Sequence, residues 1–343
     1  MSRDWTAARR LVRPGAARRS VLFGGALFVI ANVLVANILD RSPTTIRFAE
    51  GRTVLANARQ LGATPDVLVL GSSIVRSLIN HGTIADTLRR DGQPPLLVFS
   101  AAVSAGDALT MDWLLGALDD EGRLGRHLVI EFSPEVLTWP TPFLKEDVTR
   151  FFSAGAVLAN LPEIARTDAR ARALSARLLP IHLFRNELLQ WLTGIEMPMQ
   201  WVRAATEPPV AGPAGRPLDA PGYPGHVRRS MLGNRWPAFR LGELSKDAMR
   251  AMLRRATARG AAVTIVIPPV ASLLRGMETP DGWEVIDRFV AELDNAPGVS
   301  IVRYRDRLDD RYFYDAVHAT PDGATAFSAL LAREVIAPAF PVQ

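Results

Sequence analysis

Two short segments carry residue types that suit covalent chemistry. The first, residues 66–80 (DVLVLGSSIVRSLIN), is an apolar strand pattern that ends in Gly71-Ser72-Ser73 before a helical pattern begins. In parallel sheets the loops at the carboxyl ends of the strands face one crevice, so a serine in this turn presents its hydroxyl there. Serine at such a position also serves as a helix N-cap, and the segment alone does not separate the two roles. The second, residues 312–335 (YFYDAVHATPDGATAFSALLAREV), sets Asp315 and His318 three apart in a loop before a terminal amphipathic helix. A carboxylate beside an imidazole fixes its tautomer and stabilises the imidazolium. The other histidines, His81, His127, His182 and His226, have no acidic residue in this arrangement within a sheet-edge loop. A hydroxyl, an imidazole and a carboxylate together are the equipment of acyl transfer through a covalent serine intermediate.

The elements around these segments predict how they meet. Short apolar runs at 66–70, 96–99, 128–132, 262–268 and 299–304 alternate with helical patterns at 83–90, 108–118, 244–259, 283–293 and 324–336. That alternation predicts an α/β fold, a three-layer α/β/α domain around a sheet of about five parallel strands. Between the third and fourth strands lies a largely helical insertion, residues 140–241, with helical patterns at 148–159, 169–179 and 183–192. Residues 207–225 follow, where ten of nineteen are Gly or Pro. Such a stretch excludes a helix interior or a central strand and predicts a loop, either free or lying as a lid over the site. Phe151-Phe152 and Trp139-Pro140 are expected to pack in the core or the insertion, with a groove that stacks sugars as the alternative. Arg228, Arg229, Arg235 and Trp236 face either the crevice or membrane headgroups.

Composition narrows the class. The 343 residues are 48% hydrophobic and 22% charged, a globular balance, and the absence of cysteine excludes thiol catalysis, disulfides and cysteine-held metals. No His, Asp and Glu cluster has ligand spacing, so neither a metal nor a cofactor is expected, and a metal-dependent hydrolase is a distant alternative. Residues 1–20 hold six arginines against one aspartate, which accounts for the whole formal charge of +5. The remaining chain is neutral and has no electrostatic footprint for nucleic acid.

Residues 21–39 (VLFGGALFVIANVLVANIL) are free of formal charge, with Asn32 and Asn37 as the strongly polar members. At about 1.5 Å per residue they span the hydrocarbon of a bilayer. Arginines on the N-terminal flank predict a cytoplasmic N-terminus for residues 1–20, a single-pass anchor in the bacterial inner membrane over 21–39, and a periplasmic or other extracytoplasmic main domain. A cleaved signal peptide and a buried core helix are the alternatives. The apolar run is long for a signal peptide and no small-x-small site follows it.

Taken together and in order, Gly71-Ser72-Ser73 and Asp315-Ala316-Val317-His318 resemble the first and last sequence blocks of the SGNH/GDSL hydrolase superfamily. The Gly-Ser-Ser form with an N-terminal anchor is most similar to membrane-tethered members acting on envelope polymers, among them the D-alanine transfer proteins of teichoic acid and the alginate-type O-acetylation proteins. The resemblance covers residues 66–134 and 242–337. It implies a flavodoxin-like SGNH sheet divided into 66–139 and 242–343, behind a linker and lead-in helix at 40–65. It also implies Ser73 as nucleophile, His318 as general base and Asp315 as the orienting carboxylate. Ser72 stands at the family's aspartate position.

The middle blocks depart from the family. Ser100–Asp107 (SAAVSAGD) replaces the usual Asn-x-Gly, leaving Ser73, Ala102, Ser104 and Gly106 as oxyanion-hole candidates. Glu131–Glu135 (EFSPE) replaces Gly-x-Asn-Asp, so the asparagine donor is missing. Removing one such donor costs on the order of 3 kcal/mol of transition-state stabilisation. Arg76, one turn past Ser73, reads as a surface or helix arginine, with contact to an anionic substrate group as the alternative. The expected function is a serine esterase or O-acyltransferase of an envelope polysaccharide, with a multispanning O-acyltransferase or polysaccharide synthase as partner. The alternative is a catalytically degenerate scaffold subunit of such a complex.

Overall fold

In the computed structural model, which describes residues 14–41, 46–193, 218, 222–229 and 235–341, five strands form one sheet. They are β1 (Val67–Leu70), β2 (Val98–Ser100), β3 (His127–Glu131), β4 (Ala262–Ile267) and β5 (Val299–Arg303). All pairings are parallel, in the order β2-β1-β3-β4-β5. This is the flavodoxin-like order, which reverses direction at β1 and opens a crevice at the carboxyl ends of β1 and β3.

Side-chain alternation builds the two outer layers. Leu68, Leu70, Leu128, Ile130, Val263 and Ile265 point to one face and join a core with the helices Ala108–Asp120, Glu243–Ala258 and Pro280–Asp294. Val67, Val69, Val129 and Val266 point to the other, against Ser73–Leu78, His81–Arg90 and Pro321–Leu331. Because both faces are covered, β1 and β3 are buried at every position, which explains the unbroken apolar run of β1 and the apolar centre of β3 between His127 and Glu131.

The described chain divides into two units. One comprises residues 48–147, 218, 222–229 and 235–341 and holds the sheet; the other comprises 14–41, 46–47 and 148–193. The expected single insertion over 140–241 is therefore divided: 148–193 belongs with the N-terminal helix, and 222–241 with the sheet. Helix Ala49–Gln60 also belongs to the sheet unit. Within the second unit, Arg18–Arg41 is a 24-residue, almost wholly exposed apolar stretch, long enough to cross a bilayer as an anchor or to act as a signal sequence.

Several boundaries differ from expectation. The helix expected at 148–159 breaks into Leu144–Arg150 and Ala154–Ala159, because the Ser153 hydroxyl caps a new start by accepting the Ala156 N–H. The helix expected at 183–192 breaks at Phe184 into Pro180–Leu183 and Arg185–Thr193. Within the Pro/Gly stretch, 207–217 and 219–221 lie outside the described residues. Its last residues open a helix instead, Tyr223–Arg229, where Pro224 sits in a first turn that needs no donor from it. Trp236 is buried against Phe239 and Trp283 and faces neither crevice nor headgroups. Arg3, Arg9, Arg10 and Arg13 also lie outside the described residues.

Candidate active site

The strand-to-helix turn after β1 is built for close approach. A Cβ on Gly71 would stand 2.7 Å from Glu131 Oε2 and 2.7 Å from Val75 Cβ, so the position requires glycine. Ser72 is the N-cap: its hydroxyl accepts the Ile74 N–H at 3.0 Å. Of the two serines, Ser72 takes the capping role and Ser73 is left at the first helical position.

At the other end of the chain, Tyr314–His318 closes as a tight loop, with the Tyr314 N–H on the His318 carbonyl and a bridge between Phe313 and Ala319. Asp315 Oδ1 accepts the backbone N–H groups of Val317 (2.9 Å) and His318 (2.7 Å). Its Oδ2 lies 2.7 Å from His318 Nδ1. Burial alone would raise the Asp315 carboxyl, but the His318 hydrogen bond and charge and the two N–H donors outweigh it and hold it below the ordinary range. An ionised Asp315 only accepts, so the proton sits on Nδ1 and Nε2 keeps its lone pair. That Nε2 lies 3.0 Å from Ser73 Oγ.

Two serines hold the ends together. Ser77 Oγ accepts the Ala319 N–H at 3.0 Å, and Ser328 Oγ bonds to both Asn80 N–H and the Leu78 carbonyl. The histidine loop and the last helix are thus fastened to the helix that carries Ser73. The Tyr314 ring stacks on His318 at 5.7 Å with an interplanar angle of 11°. Burial, aided by Asp315 beside it, pushes the Tyr314 phenol up to about 12. The Tyr223 hydroxyl accepts the Ala316 N–H at 2.9 Å, bracing the loop from the far end of the Pro/Gly stretch.

The oxyanion candidates separate. Among the described residues the Ser73 N–H has no acceptor, and the Ala102 N–H has only Ser100 Oγ at 3.5 Å. Gly106 is corrected: its N–H donates to Val103 O at 3.3 Å inside a turn that holds Ala105 at a φ of 52°. Its lack of a side chain lets it pack on Gly71, whose carbonyl would lie 2.9 Å from a Cβ there. The Ser104 N–H is taken by Glu50 at 2.9 Å, while its hydroxyl makes no hydrogen bond among the described residues. Arg76 pairs with the same Glu50 oxygen at 2.7 Å, so that carboxylate ties the helix bearing Ser73 to the 101–107 loop. Arg76 therefore has a structural partner, and only the rest of its half-exposed guanidinium is open. After β3, Glu135 is buried against Arg305, which also pairs with Glu278, and this carboxylate donates nothing to an oxyanion.

Sequence reasoning missed Glu131. Fully buried at the end of β3, it accepts from the Ser72 N–H (2.6 Å), the Ser72 hydroxyl (2.8 Å), the Ser133 hydroxyl and the Val75 N–H. Burial pushes its carboxyl up, and these four donors oppose the shift. A single charge inside a buried five-residue strand was the signal. Glu50 left no such signal, because its contacts arise only from folding.

No family model matches the chain, and no curated protein matches it. Among solved structures it is similar to a GDSL-like lipase from Bacteroides thetaiotaomicron VPI-5482, with 12% identity over 83% of this chain and 97% of that one at a TM-score of 0.40. It is also similar to a lipase from a goat rumen metagenome, with 10% identity over 78% and 97% of the two chains at a TM-score of 0.35.

Proposed function

We propose that this protein is a serine esterase or O-acyltransferase, anchored in the bacterial inner membrane, that moves acyl groups on an envelope polysaccharide through an acyl-Ser73 intermediate. The observation that carries the reading is the unbroken relay from Ser73 Oγ to His318 Nε2 (3.0 Å) and from His318 Nδ1 to Asp315 (2.7 Å). Ser73 Oγ attacks the ester carbonyl while His318 Nε2 takes its proton, and Asp315 stabilises the imidazolium. The oxyanion is held by the Ser73 and Ala102 N–H groups. The tetrahedral adduct collapses as Nε2 returns the proton to the leaving alcohol, leaving acyl-Ser73. His318 then deprotonates water or a sugar hydroxyl as it attacks the acyl carbon, and Nε2 returns that proton to Ser73 Oγ as the acyl–Ser73 bond breaks.

Two donors rather than three predict a site that works poorly on unactivated esters. The polymer assignment draws on the apolar Arg18–Arg41 stretch, which would hold the site near membrane-bound donors and raise their effective concentration. A multispanning acyltransferase that delivers acyl groups across the bilayer is the partner such a role needs.

The test is turnover of p-nitrophenyl acetate by the full chain in detergent, with and without an acetylatable oligosaccharide. Release of p-nitrophenol that disappears in Ser73→Ala supports the reading, and acetyl oligosaccharide marks transfer. Equal turnover in Ser73→Ala eliminates it. The Glu135–Arg305 pair in place of an asparagine donor favours one second reading, a scaffold subunit. That reading predicts polysaccharide binding unchanged in Ser73→Ala and His318→Ala, with no acyl-enzyme formed.

A further inference from the structure

The sheet unit hides its apolar side chains; the other unit does not. Among the described residues, every exposed large hydrophobic lies either on the N-terminal apolar helix or within residues 154–193. The latter include Leu158 (70% exposed), Leu174 (60%), Leu178 (66%), Leu192 (72%) and Trp191 (49%). Helix Ala169–Leu178 is inverted relative to a helix in water: Ala169, Ala173 and Ala176 are buried, while Leu174 and Leu178 point outward. Small residues inward and large apolar residues outward are the pattern of helices that pack in lipid.

The contacts of this segment set its depth. Ala176 and Phe184 pack with Leu39 and Ile46, and Val35 lies against the same cluster. Arg177 reaches Asp40 at 2.5 Å. Farther down, Asn32 is buried within the apolar stretch. Its Oδ1 accepts the Ile181 N–H at 3.4 Å, and its Nδ2 donates to Phe28 O at 2.9 Å. Asn32 stands eight residues before Asp40, about 12 Å along the axis, most of the roughly 15 Å thickness of one hydrocarbon leaflet. The backbone of the turn there is satisfied: Leu179 N–H donates to Ser175 O, Leu183 to Leu179 and Phe184 to Pro180. Satisfied backbone is what hydrocarbon demands. His182, and Arg185 at the start of the next helix, are exposed, and because polar groups are costly at the bilayer centre they argue against a full second crossing.

We propose that residues 154–193 form a lipid-immersed foot, docked on the C-terminal half of the anchor through Asn32, with acyl chains as the partner of Leu174, Leu178 and Leu192. The proposal rests on Arg18–Arg41 spanning a bilayer. Basic residues Arg166, Arg170 and Arg172, exposed near the start of helix Ala169–Leu178, suit the headgroup level.

The natural chain has no cysteine, so single cysteines report unambiguously. The full chain, carrying a nitroxide at Leu178→Cys, Leu27→Cys (anchor) or Ala85→Cys (exposed on the sheet unit), is placed in phosphatidylethanolamine–phosphatidylglycerol vesicles. Collisions with oxygen and with a water-soluble nickel chelate are then compared. A foot predicts that Leu178→Cys loses nickel access and gains oxygen access as Leu27→Cys does, while Ala85→Cys shows the reverse. Leu174→Cys repeats the reading at a second exposed site. Nickel access at Leu178 with lipid exposure at Leu27 overturns the foot alone, including the case where a protein partner normally covers it. Nickel access at both sites overturns the anchor and the foot together.

Discussion

The two edges of the sheet each hold a histidine near a hydroxyl, and only one is equipped for chemistry. At the carboxyl edge, His318 has Ser73 on one nitrogen, the Asp315 carboxylate on the other, and a quarter of its side chain open to solvent. At the amino edge, His127 is 2% exposed, its Nε2 bonds to Thr264 Oγ1 at 2.9 Å, and its Nδ1 has no partner among the described residues. Burial with no carboxylate to offset it drives the His127 pKa down to about 4. An imidazole becomes a general base through a carboxylate that stabilises its charged form and an opening through which substrate arrives. Contact with a hydroxyl is not enough.

The comparison breaks most visibly at the serine. Ser73→Ala and His318→Ala should each lower kcat by roughly 10⁶-fold, and the double variant no further, because the pair acts as a unit. Asp315→Asn should cost about 10⁴-fold, since an amide no longer holds the proton on Nδ1. Steady-state kinetics on an activated ester checks all three. Glu131→Gln presents an NH₂ group where Ser72 offers N–H and O–H donors, and the misplaced turn should cost about 10²-fold in kcat. The unmet buried donor should also remove about 1–3 kcal/mol of stability, read from urea melts.

His127→Gln should leave kcat unchanged and alter stability against pH instead. Because its folded pKa lies near 4, below the ordinary 6.5, the unfolded chain binds the extra proton. Stability therefore falls as pH drops from 6.5 to 4, by up to about 3 kcal/mol. The variant should flatten that slope in thermal melts. An activity loss in His127→Gln comparable to Asp315→Asn would erase the distinction between the edges.

The sheet was legible in the sequence because β1 and β3 are buried on both faces and their centres read as short, dense apolar runs. Ser73, Asp315 and His318 were legible because each lies in a short segment whose strand or helix neighbours announce a sheet edge. Glu50 and Ser77 were not, because their partners lie 54 and 242 residues away and no local pattern records the meeting; Glu131 left only the mark of a charge in a buried strand, which does not name its partner 59 residues away. Gly106 is an oxyanion candidate only by its place in the block after the second strand. Its N–H is spent in a turn, and its lack of a side chain is what the fold uses. Helix Ala169–Leu178 is expected from its sequence alone, but its outward leucines acquire a meaning only beside the N-terminal helix.

The most direct measurement is covalent capture. The full chain in detergent is treated with a fluorophosphonate at neutral pH, digested and mapped by mass spectrometry. A working relay predicts one adduct, on Ser73, with labelling slowed at least about 10³-fold in His318→Ala. Labelling at Ser72, or an equal rate without the imidazole, would contradict the assignment of Ser73 as a histidine-activated nucleophile.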